Sequence, residues 1–105
     1  MSCEFCDIIE KKAPANVRYE DDDLIVFDNR LDWVPVMLLV VGKTHLTQEE
    51  FWQSMSRAGA VAVEMGKLYC PNGFRLLSNF GADAMQSQEH GHLHVIGGTF
   101  LGPYG

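Results

Sequence analysis

Gln86-Ser87-Gln88-Glu89-His90-Gly91-His92-Leu93-His94-Val95-Ile96-Gly97-Gly98 is the stretch whose reading decides both the fold and the chemistry of this chain. Apolar and histidine positions alternate along it, which predicts a strand over residues 88–96, ended by Gly97-Gly98. Successive strand side chains point to opposite faces, so His90, His92 and His94 share one face, roughly 6.5–7 Å apart. Leu93 and Val95 turn the other way, into a core, and Gly91 leaves room for a close neighbour. The chain has four histidines, and three of them lie here. Three readings compete: surface histidines on an edge strand, a metal site built from imidazoles, or nucleophilic catalysis with one attacking ring oriented by its neighbours. Perfect alternation in a histidine-poor chain disfavours the first. The triplet alone does not separate the other two.

Upstream, residues 79–86 form a loop of small residues that includes Asn79, Gly81, Ala82 and Ala84. Exposed loop amides can make an anion-binding concavity, and the Ser87 hydroxyl can donate to a leaving-group atom. On physical grounds alone, Gln86 and Ser87 are equally ordinary turn residues. Residues 74–78 read as another strand, set off by the turn Cys70-Pro71-Asn72-Gly73. Thr47 with Glu50 forms a capping box, predicting a helix that runs to about Tyr69. Phe51, Met55, Ala58, Ala62, Met65 and Tyr69 recur on it at three- and four-residue spacing, as a buried stripe. Gly59 and Gly66 lower its propensity and mark close packing. Residues 16–19, 24–27 and 36–41 read as strands; the last is nearly all apolar, as in a strand covered on both faces. Residues 3–12 predict a short helix ended by Pro14. The expected architecture is therefore α+β: one domain over residues 1–105, an antiparallel sheet of about five strands, one long helix and a short N-terminal helix.

The totals set bounds. A chain of 105 residues supports one modest domain. Its formal net charge is −6, and the acidic run at residues 20–23 reads as a solvated turn. Lacking a basic stripe, it is a poor grip for long nucleic acid. No apolar stretch approaches the ~20 residues of a membrane span. The first six residues have neither the basic nor the apolar region of a secretory signal, so the cytoplasm is the expected location. Cys3, Cys6 and Cys70 are an odd set, which favours reduced thiols or a metal over a disulfide framework. Cys3-Glu4-Phe5-Cys6 has the spacing with which two thiolates grip one zinc; alone it is a half-site, equally a plain pair of thiols.

The run from Gln86 to Gly98 resembles the signature of the histidine triad (HIT) family, in which Gln-Ser precedes three histidines alternating with apolar residues. Gly73-Phe74-Arg75-Leu76 with Asn79, Cys3-Glu4-Phe5-Cys6-Asp7-Ile8-Ile9, Tyr19-Glu20-Asp21-Asp22, and Leu38-Leu39-Val40-Val41 with Lys43 and His45 resemble further family segments in the same order. The resemblance implies a nucleotide hydrolase or transferase. Its central histidine, His92 by position, attacks the α-phosphorus, and water or an acceptor then takes the nucleotide from the ring. The resemblance further implies that His94 contacts the phosphate and Ser87 assists the leaving group. Gln86 would support the phosphate or the ring, and Asn79 would hold the phosphate-side loop. Asn29 would meet the ribose, with Arg30 or Trp33 near the base. Some bacterial relatives bind zinc through a Cys pair, a histidine after the lysine, and the first triad histidine. Here those are Cys3, Cys6, His45 and His90, a closed set and hence a structural Zn²⁺ site, with no metal required for catalysis. A homodimer is also implied.

Several positions depart from the family pattern. Gly91 stands where a larger apolar residue is usual, Ala84-Met85 where small residues are usual, Met37 at a frequent histidine, and Gly42 at a frequent proline. Residues 27–33 lack the usual wording of the nucleoside pocket. The leading expectation is a hydrolase or transferase acting at the α-phosphate of nucleoside phosphoramidates or related nucleotide conjugates, purine foremost, through a covalent nucleotidyl-histidine intermediate. The rivals are a dinucleoside polyphosphate hydrolase or nucleotidyltransferase, and a nucleotide-binding module with incidental turnover.

Overall fold

The computed structural model describes residues 3–54 and 56–103. Five strands form one antiparallel sheet: β1 (Val17–Glu20), β2 (Leu24–Asp28), β3 (Val36–Gly42), β4 (Phe74–Leu77) and β5 (His92–Gly97), in the order β1-β2-β3-β5-β4. The helices are α1 (Glu4–Ile9), α2 (Gln48–Gln53) and α3 (Ser56–Tyr69), and a single 3₁₀ turn covers Ala82–Ala84. The expected α+β class and its five-stranded antiparallel sheet are observed. None of the described helices is long and apolar enough to cross a membrane.

Strand alternation sorts the sheet into two faces. Leu24, Val26, Leu38, Val40, Leu93 and Val95 join Ala58, Val61, Ala62 and Met65 of α3 in one core. Ile25, Phe27, Leu39 and Val41 face the other way, onto Phe5 and Ile8 of α1. The run in β3 that reads as apolar throughout is indeed covered on both faces. His92 and His94 lie on the α1 face, where Phe5 sets its ring edge-on to His92 at 5.1 Å between centroids.

Three boundaries differ from the sequence expectation by more than a residue. The helix predicted over residues 47–69 is two helices. The capping box is present, with Thr47 Oγ1 accepting from the Glu50 N–H and Glu50 Oε1 from the Thr47 N–H, but it caps only the six-residue α2. The Ser54 hydroxyl and N–H both turn back onto the Phe51 carbonyl, which closes α2 before α3 starts at Ser56. Serine competes for backbone groups in this way, and so favours helix ends over interiors. Phe51, Ala58, Ala62 and Met65 of the predicted stripe are buried, while Met55 lies outside the described residues. Helix α1 ends at Ile9, before Pro14 is reached. Lys11 takes the left-handed conformation (φ 64°), and the Lys11 and Lys12 N–H groups bond the carbonyls of Ile8 and Asp7, a Schellman closure without its customary glycine. Finally, β5 begins at His92: the Gly91 carbonyl still accepts from Gly42 of β3 at 3.3 Å, but the Gly91 N–H turns away to the Leu46 carbonyl at 2.7 Å.

Glycines mark the close approaches. A Cβ on Gly91 would sit 2.3 Å from Phe51 Cβ, and one on Gly66 2.4 Å from the Phe74 ring. The family position usually filled by a side chain at residue 91 is filled here by Phe51. Gly59, by contrast, has nothing within 4 Å of such an atom, so the close packing read from it is absent.

Candidate functional site

His92 is buried, with 5% of its surface exposed. Its Nδ1 lies 2.6 Å from the carbonyl oxygen of His90. A carbonyl can only accept, so Nδ1 carries the proton and Nε2 keeps its lone pair. This contact fixes tautomer and ring orientation together, as a nucleophilic or basic imidazole requires. Burial lowers the pKa of His92, which keeps the ring neutral.

His94 lies next along the same face, its ring centroid 5.2 Å from that of His92. Its Nε2 is buried without a hydrogen-bond partner, the one such side-chain nitrogen or oxygen among the described residues. Burial first, and then neighbouring His92, push its pKa down to about 4. Orphaned buried polar atoms are uncommon in folded proteins and mark places where a ligand or water completes the bonding.

His90 is fully buried and turned to other partners. Its Nε2–H donates to the Gly42 carbonyl at 2.6 Å, which leaves Nδ1 as a lone-pair donor. That Nδ1 lies 3.1 Å from His45 Nδ1, 3.4 Å from Cys3 Sγ and 3.5 Å from Cys6 Sγ; Cys6 Sγ is 3.2 Å from His45 Nδ1. All four donor atoms lie within 4.8 Å of one another. Zinc at ~2.3 Å from sulfur and ~2.0 Å from nitrogen gives tetrahedral edges of roughly 3.3–3.8 Å, so the cluster is close to that size. The donor set, two thiols and two imidazoles, is that of a structural zinc site. The Gly42 carbonyl would give a metal-bound His90 the outer contact such histidines usually have. Three segments meet here: α1 through Cys3 and Cys6, the β3–α2 connection through His45, and the entrance to β5 through His90. The three cysteines are free thiols, and Cys70 is buried far along the chain from this cluster. Burial, reinforced by the neighbouring Cys3 thiol, raises Cys6 to about 11.

The loop residues are placed less uniformly. The side chain of Gln86 spans its own loop: Oε1 accepts from the Gly81 N–H at 2.9 Å and Nε2 donates to the Gln88 carbonyl at 3.0 Å. It thereby closes the turn in which Met85 adopts a left-handed conformation (φ 59°), the geometry that explains why small residues are usual there. Ser87 is exposed, and Asn79 is half-buried two residues past the end of β4. Asn29 Oδ1 caps a local turn by accepting from the Leu31 N–H. Arg30 forms an ion pair with Glu4 of α1, and Trp33 is 79% exposed. The buried Met37 Sδ accepts from the Trp33 N–H, so the position of a frequent histidine serves here to hold the 29–33 loop.

Three contributors are not legible in the sequence. Phe5 packs edge-on against both His90 and His92. Buried Gln48 and half-buried Ser78 bond the main chain of His92. Gln48 sits one residue after a helix cap, where a solvent-facing side chain is the ordinary expectation, and nothing local signals its burial.

Known proteins resemble this chain in sequence and in fold. The family model described as the HIT domain matches residues 10–101. An uncharacterized HIT-like protein of Chlamydia muridarum is 32% identical over 108 residues, spanning 97% of this chain and 86% of that protein. A HIT family hydrolase from Clostridium thermocellum superposes with a TM-score of 0.87 at 29% identity, over 97% of this chain and 95% of that one. A zinc-bound histidine triad family protein from Mycobacterium smegmatis gives a TM-score of 0.77 at 30% identity, over 92% of this chain and 75% of that one. With the family model spanning residues 10–101 and the triad strand in place, the chain belongs to the histidine triad (HIT) family.

Proposed function

We propose that this protein hydrolyses nucleoside phosphoramidates or related nucleotide conjugates at the α-phosphate, purine nucleotides foremost, with His92 as nucleophile. The observation that carries the reading is the His92–His90 contact, which leaves the Nε2 lone pair free beside an unpartnered His94 Nε2. In the first displacement, Nε2 forms a bond to phosphorus while the bond from phosphorus to the leaving group breaks. The leaving amine takes a proton from the Ser87 hydroxyl. In the second, water attacks phosphorus and its proton returns to the Ser87 oxygen, the P–N bond to His92 breaks, and the nucleoside monophosphate departs. Splitting one displacement into two in this way is covalent catalysis. His94 supplies a hydrogen bond to a phosphate oxygen through its free nitrogen. Asn79 and Gln86 hold the phosphate-side loop in shape, and Asn29 shapes the nucleoside side. The likeness to a HIT family hydrolase of C. thermocellum supports a hydrolytic outcome.

Cys3, Cys6, His45 and His90 are proposed to hold a structural zinc. The donor spacing and the zinc-bound relative from M. smegmatis both support this. The ion would act as a cross-link between α1 and the entrance to β5, and the chemistry at His92 requires no metal. A homodimer is supported by the open edge of β4, where Leu76 is exposed, and by an apolar groove of ≈ 300 Å³ lined by Trp52, Gly59, Val63, Leu76, Leu77 and Leu93.

Turnover of adenosine 5′-phosphoramidate, compared with a dinucleoside polyphosphate and with equilibrium binding of AMP, tests the reading. Faster turnover of the phosphoramidate is expected. Preference for the polyphosphate would reassign the substrate, and AMP binding without turnover of either would make the protein a binding module.

A further inference from the structure

His92 occupies an unusual place in the sheet. On one side Val41 of β3 is its register partner. On the other side β4 has already ended: its last residue, Leu77, pairs with His94, so no strand residue stands opposite His92. The N–H and C=O of His92 on that side are satisfied by side chains instead. Gln48 Oε1 accepts from the His92 N–H at 2.8 Å, and the Ser78 hydroxyl donates to the His92 carbonyl at 2.9 Å. Gln48 is 2% exposed, and its Nε2 donates to the Asn79 carbonyl at 3.2 Å. One buried amide therefore joins the main chain of His92 to the first residue of the phosphate-side loop. Its own position is fixed from two directions, by the Thr47 capping box and by Phe51 seated on Gly91.

We infer that Gln48 and Ser78 are positioning residues: a side-chain clamp that holds the His92 main chain where the sheet no longer does, and ties it to the 79–86 loop. The inference rests on His92 being the nucleophile for its catalytic consequence, but not for its structural one. Two hydrogen bonds from rigid elements replace a missing strand, and a buried N–H left without its acceptor would be free to tilt. A nucleophile displaced by about 1 Å loses on the order of a hundredfold in rate, because attack needs aligned contact distance. Substrate affinity rests on other groups, so kcat should fall and KM should not rise.

The test compares Gln48→Met, which keeps shape and burial but neither hydrogen bond, with Gln48→Glu, which keeps the acceptor for the His92 N–H. Ser78→Ala and Ser78→Thr form a second pair that probes the carbonyl side should Gln48→Met fail to fold. Adenosine 5′-phosphoramidate is the substrate, and NMR follows amide exchange at His92 and the His92 ring nitrogens. Gln48→Met should lower kcat roughly ten- to hundredfold with KM within about twofold, speed His92 amide exchange, and shift its ring resonances, while Leu93 and Val95 exchange as in the wild type. Gln48→Glu and Ser78→Thr should recover most of the rate. Unchanged His92 exchange and ring resonances in both Gln48→Met and Ser78→Ala would overturn the clamp. So would a loss expressed only in KM. If His92→Asn kept full turnover, the nucleophile assignment would fall instead, and the NMR readout would still decide the clamp.

Discussion

Replacing Gly91 by Ala puts one methyl group where the structure has no room to give. The new Cβ would lie 2.3 Å from Phe51 Cβ and 2.7 Å from its Cγ, well inside any sustainable contact. Rotating the Phe51 ring does not help, because the nearest clash is with Cβ, which moves only with the α2 backbone. The ring also packs toward β3, since a Cβ added at Gly42 would find it at 3.3 Å. The other side of Gly91 is tied by its 2.7 Å bond to the Leu46 carbonyl. Relief therefore needs a shift of either α2 or residues 90–92. Overpacking of a sealed site costs about 1–3 kcal/mol, and the backbone origin of this clash places it at the upper end. For a domain of this size each kcal/mol moves Tm by roughly 4–8 °C, so a fall of about 10–20 °C is expected. Thermal and urea unfolding of Gly91→Ala, followed by far-UV circular dichroism, measure it. A Tm within about 3 °C of wild type would refute the reasoning and mean that α2 adjusts freely.

Removal of the metal cluster should be felt as lost metal and lost stability together: Cys6→Ser should purify with less than about a tenth of the zinc of wild type by mass spectrometry, and a chelator should lower the Tm of wild type but not of the variant. Folding should weaken early in acid. His94, held down to about 4 against 6.5 unfolded, leaves stability intact above pH 6.5 and withdraws it as pH falls toward 4, since the unfolded chain takes up the proton first. His94→Gln should flatten that limb in pH-dependent urea titrations; an unchanged limb would assign it elsewhere. Phe51→Ala, which empties a site beneath Gly91, should cost about 3–5 kcal/mol by chemical denaturation.

Local rules carry a reading of the sequence a long way. Alternation in residues 92–96 places His92 and His94 on one face and Leu93 and Val95 in the core, and that is how the strand lies. The capping box at Thr47 is legible because it is made within four residues. The split between α2 and α3 is not, since the apolar stripe keeps its phase across it and the Ser54 contacts that close the first helix are not signalled by that stripe. The start of β5 is misplaced from sequence because His90 and Gly91 read as strand, yet are drawn to Cys3, Cys6, His45 and Leu46, far away along the chain. Gln48 and Ser78 are invisible for the same reason: their task arises from where β4 stops, which no local pattern records. The triad also divides by partner. His90 belongs with the thiols, His92 is oriented by the His90 carbonyl, and His94 keeps an unsatisfied nitrogen.

Passage of the phosphorus through the Nε2 of His92 is the central claim. Rapid quenching of the protein with adenosine 5′-phosphoramidate under single-turnover conditions, followed by peptide mass spectrometry at neutral or alkaline pH, tests it most directly. An acid-labile adenylyl group should appear on the peptide carrying residues 90–94, localised to His92, formed and lost at rates compatible with turnover, and absent from His92→Asn. Turnover by His92→Asn at the wild-type rate, or an adenylyl group residing on another residue, would contradict it.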